Sequence, residues 1–154
     1  MLAQWKGLHL DERERHIPVE NSKTGKPHII YLSTQAQTLF KELKPLASSS
    51  DWVLPSRDTL AKPFANNALN QALKVSLQEQ KTPSFTIHDL WRTASTLLHE
   101  QDWSSDVVEK TLNHTISGVR DIYNWAKYAE QRREMLQAWS DYIDRLAPSA
   151  NLVV

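Results

Sequence analysis

The sequence predicts a mainly helical α+β domain: a small antiparallel β-sheet or hairpin near the N-terminus, followed by about five helices. Three observations predict it. Two short β-branched-rich runs flank a stretch of turn-forming residues in the first third of the chain. After Leu32 the apolar period changes to three or four residues and stays there. With 154 residues, 40% of them hydrophobic, the chain suffices for one sizeable core and not for two.

The strand candidates are His16 to Glu20 and His28 to Leu32, separated by Asn21-Ser22-Lys23-Thr24-Gly25-Lys26-Pro27. A shorter run, Gly7 to Leu10, reads as a preceding strand or a lead-in. Ser33 or Thr34 can cap a first helix, whose apolar positions Ala36, Leu39, Phe40 and Leu43 predict an end before Pro45. The loop from Ser48 to Pro63 carries Trp52-Val53-Leu54, expected to tuck inward. Leu69, Leu73 and Leu77 define a second helix. Thr86-Ile87-His88-Asp89 has capping-box spacing and opens a third helix, which Leu90, Ala94, Leu97 and Leu98 continue to about Glu100. Ser104 or Ser105 starts a short fourth helix through Val107, Val108 and Leu112, ending near Asn113-His114. Apolar residues from Val119 to Leu146 recur at helical intervals, with a break expected near Tyr128 and a stop at Pro148. The domain is therefore expected over 1–148, with 149–154 as a tail.

Lys plus Arg and Asp plus Glu both total 18, so gross charge does not point to nucleic acid, and a DNA-binding face requires local clustering. Cysteine is absent, which removes disulfide and thiolate chemistry and fits a reducing compartment. No long apolar run suggests a membrane span, and the start lacks the layout of a signal peptide, so a soluble cytoplasmic protein is expected. The histidines are scattered without ligand spacing, which argues against a metal site.

Singly, the polar candidates have ordinary readings. His88 near a helix start is most often a satisfied structural histidine, and His114 at a helix end a dipole partner. Tyr123 on an amphipathic helix is core by default, and Lys23 at a hairpin tip is a solvated turn residue. Their order changes the reading. Lys23 between two strands, then FTIHDLWRT at 85–93, then Leu112-Asn113-His114, then Tyr123 nine residues on, resembles the layout of the tyrosine recombinase (phage integrase) family. PHIIYLS at 27–33, WVLPS at 52–56, and Tyr123-Asn124 followed by Arg132-Arg133 add to that resemblance, which covers nearly the whole chain.

The resemblance implies site-specific recombination and integration of double-stranded DNA without nucleotide or metal cofactors. In the family, a tyrosine hydroxyl attacks a phosphodiester, forms a 3′-phosphotyrosyl link and releases a 5′-hydroxyl. Tyrosine is a poor nucleophile near its usual pKa of about 10, so the site must stabilise the pentavalent phosphorus and move protons. Carried over, Tyr123 is the nucleophile and Lys23 the general acid, with Lys26 as the alternative; His88 is an acid-base group or phosphate ligand, and His114 a phosphate hydrogen-bond donor. Arg120 and Arg92 are further candidate phosphate or DNA contacts.

Two arginines normally neutralise the non-bridging oxygens in this family, because a planar fork of donors suits phosphate. The first falls upstream of the segment matched here by Trp5, which places it before Met1 and implies an N-terminally truncated catalytic domain. The second belongs three residues after His88, where this chain has Trp91. An indole offers one neutral donor and no cationic centre. Arg92 lies near the same helical face and is read either as a partial replacement, or as a DNA-backbone contact or surface ion pair. The expectation is a recombinase domain catalytically impaired alone, with Lys23, Lys26, Arg92, Lys110, Arg120, Lys127, Arg132 and Arg133 lining a basic face for weak DNA binding.

Two other readings stay open. One is a non-catalytic DNA-binding protein, or a partner of a full-length integrase, which associates with it or with itself through the apolar residues Met135, Leu136, Trp139, Tyr142, Ile143 and Leu146; the alternative for these residues, and the preferred one, is packing on their own core. The other is an unrelated helical enzyme or scaffold.

Overall fold

A computed structural model describes residues 2–22, 24–65, 67–113 and 128–146. Among them the architecture is a three-stranded antiparallel sheet followed by five helices, mainly helical as expected. Strands β1 (Leu8–His9), β2 (Glu14–Ile17) and β3 (His28–Tyr31) lie in sequence order across the sheet. Arg15 faces Leu8 on one side and Ile30 on the other, and His16 faces Ile29. The lead-in is thus a true strand. It can approach β2 closely because residue 7 is glycine: a Cβ there would stand 2.9 Å from the His16 carbonyl oxygen.

The second strand ends sooner than the pattern suggests. Pro18 cannot donate to a ladder, and Val19–Asn21 instead form a 3₁₀ turn closed by the Ser22 N–H on the Val19 carbonyl. Gly25, at φ 65°, occupies the left-handed region within the turn that leads to β3.

Helix α1 (Thr34–Leu46) is capped by the Ser33 hydroxyl, which accepts from the Ala36 N–H at 3.1 Å. It runs past Pro45 rather than stopping before it. In the last turn the missing N–H forfeits a single bond, and the Ala47 N–H still closes on Leu43. The following loop folds back on the chain start: the Val53 N–H donates to the Ala3 carbonyl and the Trp5 N–H to the Asp51 carbonyl, both at 2.9 Å, with Val53 buried as expected.

Helices α2 (Ala68–Glu79), α3 (Ile87–Glu100), α4 (Ser105–Thr111) and α5 (Ala129–Leu146) complete the described fold. Leu98, Val107, Val108 and Met135 form the helical core, walled by the partly buried Trp103, Leu112, Tyr128, Leu136 and Trp139. The apolar stripe of α3 is only half used: Leu98 is buried, whereas Ile87 and Leu90 in its first turns are exposed. On α5, Met135, Leu136 and Trp139 pack on their own core while Ile143 and Leu146 remain exposed, so the helix divides between the two expected fates.

Helix α5 also ties the helical core to the sheet. Arg132 is buried, donates from Nη2 to the Ile29 carbonyl and sits 4.9 Å from the Tyr31 ring centre. Arg133 pairs with Glu14, donates to the Glu12 carbonyl at 3.1 Å and covers the same ring at 4.2 Å. These two arginines are therefore turned to the fold and not to a shared basic face, a correction to the expected surface; the carbonyl, carboxylate and ring contacts offset the desolvation that burial imposes. A polar seam fastens α5 to α1, with the Thr34 N–H on Gln137 Oε1 at 2.9 Å and Gln35 Nε2 on Asp141 and Asp144, each at 2.8 Å. No helix among the described residues is long and apolar enough to cross a membrane.

Candidate functional site

The described part of the candidate site is the start of α3. Thr86 caps it from extended backbone: its hydroxyl accepts from the Asp89 N–H at 3.3 Å, and Asp89 Oδ2 accepts from the Thr86 N–H at 2.9 Å. This is the expected capping box, and it fixes where the helical screw begins. The hydrogen bonds from Thr86 hold the Asp89 carboxyl below the usual aspartate range, helped by Arg92 and His88. Asn70 on α2 supports the same turn by accepting the Ile87 N–H at 3.0 Å.

With the start fixed, His88 and Trp91 fall on one face, three residues apart. Their rings stack, with centroids 5.5 Å apart and planes at 13°. The two rings thus form a flat aromatic surface at the start of α3. His88 remains exposed and can exchange a proton at its ring nitrogens; Trp91 can stack and donate one neutral N–H. Arg92 is largely exposed and stands 4.0 Å from the Asp89 carboxylate, beyond hydrogen-bond reach, so its guanidinium can meet an external phosphate.

Of the other residues singled out by sequence, Lys26 is exposed in the turn before β3. Lys23, His114, Arg120 and Tyr123 lie outside the described residues. The structure therefore joins His88, Trp91 and Arg92 on one helix. Among the described residues, no group of three or more His, Asp or Glu converges in a way that could hold a metal ion.

Two groups that sequence reading passed over stand out in three dimensions. His28 is buried on β3, with its Nε2 lacking a hydrogen-bond partner among the described residues. Burial, aided by Arg132, pushes its pKa down to about 4. Arg15 is half-buried on β2. Neither carries a sequence signal, since histidine and arginine in short strands are ordinarily solvated.

No solved structure matches the chain. It is 32% identical over 153 residues to prophage integrase IntA of Escherichia coli K12, covering 99% of this chain and 36% of that protein. It is 32% identical over 143 residues to the integrase of Shigella phage Sf6, covering 92% and 36% respectively. With prophage integrase IntZ of Escherichia coli K12 it shares 33% over 147 residues, covering 94% and 35%. The chain thus spans about a third of the length of these relatives. The phage integrase family model matches residues 2–130, and the chain belongs to that family.

Proposed function

We propose that this chain is a site-specific DNA recombinase domain that binds duplex DNA but cleaves it poorly by itself. The observation that supports the reading is the stack of Trp91 on His88, a neutral indole at the position where the family resemblance expects an arginine. In this reading Tyr123 attacks the phosphodiester, a 3′-phosphotyrosyl bond forms as the 5′-oxygen bond breaks, and Lys23 or Lys26 protonates the leaving oxygen. His88 and His114 hydrogen-bond the phosphate and pass protons. Loss of one charge-stabilising donor at such a centre costs about 2.7–4 kcal/mol, a rate loss of roughly a hundredfold or more.

Arg92 supports DNA affinity, being exposed and only loosely paired. The test is a nicked suicide substrate incubated with the chain and with Tyr123→Phe, beside a gel-shift series in salt. The reading expects salt-sensitive binding with little or no covalent adduct. Rapid formation of a Tyr123-dependent adduct would refute the impaired state, and no binding at low salt would refute the DNA partner.

A second reading, association with a full-length integrase or a second copy through the end of α5, is favoured by the exposure of Ile143 and Leu146. Light scattering over a concentration series tests it against Ile143→Lys with Leu146→Lys.

A further inference from the structure

A cavity of about 750 Å³ opens beside the sheet, within the size range of sites for small molecules. None of Lys23, His88, Trp91, His114 and Tyr123, the residues singled out for the family's chemistry, is among its described lining residues, although Pro27, His28 and Ile29 of the PHIIYLS stretch are. Leu2, Ile17 and Ile29 supply apolar wall, while Lys6, Arg15 and His28 supply polar groups. No aspartate or glutamate is among its described lining residues. Arg15 has no carboxylate partner among the described residues, although burial acts on its guanidinium. A partly desolvated cation without a counter-charge is unfavourable, and an anion in the cavity removes that cost.

The cavity thus sets a cation beside apolar wall. The tilted ring pair of His9 and His16, centroids 4.2 Å apart, adds aromatic surface to the lining.

We propose that this cavity binds a small organic anion in which a phosphate or carboxylate, held by Arg15 and Lys6, is joined to a ring that packs on the apolar wall. A nucleoside monophosphate and a hydroxylated aromatic carboxylate both have this chemistry.

The test is calorimetric titration of the 154-residue chain with AMP, with 4-hydroxybenzoate and with inorganic phosphate. The expected result is saturable one-site binding of AMP, 4-hydroxybenzoate or both, the pair distinguishing phosphate from carboxylate. Arg15→Ala should weaken that binding by about tenfold or more, as expected for loss of a charge-assisted hydrogen bond. Lys6→Ala, at an exposed residue where folding is not at stake, should weaken it in the same direction, and circular dichroism checks that Arg15→Ala keeps the fold. Absence of saturable binding by both organic anions overturns the proposal. So does inorganic phosphate binding as tightly as AMP, or unchanged affinity in a folded Arg15→Ala chain.

Discussion

The guanidinium of Arg133 lies 4.2 Å from the centre of the Tyr31 ring while its Nη2 pairs with Glu14. One side chain of α5 thereby holds both β2 and β3, the strands on either side of the segment that carries Lys23. Arg132 reinforces the join from a buried position through the Ile29 carbonyl. Replacing Arg133 with alanine should cost about 1–2 kcal/mol, the sum of an aromatic contact and a charge-assisted hydrogen bond at a partly exposed site. Urea unfolding measures it, and Tyr31→Leu should remove the aromatic share while leaving the ion pair.

The pH dependence of stability should separate two groups. The folded His28 has a pKa of about 4 against an ordinary 6.5, so the unfolded chain binds the extra proton first as pH falls. Its contribution is complete above about 6.5 and is lost as pH falls towards 4, on the order of 3 kcal/mol in all. Glu14 acts lower. The hydrogen bond from His16, then Arg133, holds its carboxyl below the usual range, so its contribution is present above that range and is lost as pH falls through the depressed value. Urea midpoints measured between pH 7 and 3 should fall for the wild type and lose their fall above pH 4 for His28→Phe, while Glu14→Gln should lower the midpoint at neutral pH and flatten only the acid end.

The cap of α3 is a further point of leverage. Thr86→Ala removes a hydroxyl that accepts from Asp89 and donates to its carboxylate at 2.7 Å, and should cost about 1 kcal/mol. Thr86→Ser should keep most of it. Thermal unfolding of the three chains is the check, and preserved stability in Thr86→Ala would mean that Asn70 alone holds the turn.

Trp91→Arg tests the proposed function from the opposite direction. The variant loses the stack on His88 and gains a cation at an accessible face, so its DNA affinity should rise. The slope of log affinity against log salt should steepen by about 1, as for one added phosphate contact. Fluorescence anisotropy with a labelled duplex measures both. Trp91→Ala should leave the slope unchanged.

Sequence alone determined the class of this fold and the start and end of most helices, because those features are local. Capping hydroxyls at Ser33 and Thr86 act within four residues, and the apolar period of each helix reports one buried face whichever partner covers it. The motif at 85–93 and the substitution at Trp91 were equally legible, since they depend on spacing along one helix. Two proline positions were misread by a few residues. Pro45 was tolerated because only one last-turn bond was at stake, and β2 gave way at Pro18 to a 3₁₀ turn. Only the tertiary structure decided the roles of charged residues: Arg132 and Arg133 looked like part of a DNA-facing surface until Ile29, Tyr31 and Glu14 claimed them. Arg15 and His28 gained their cavity in the same way. A charged side chain reaches across the fold, and whether it meets water, a carbonyl or a ring is set by chain segments about a hundred residues away rather than by its own sequence neighbours.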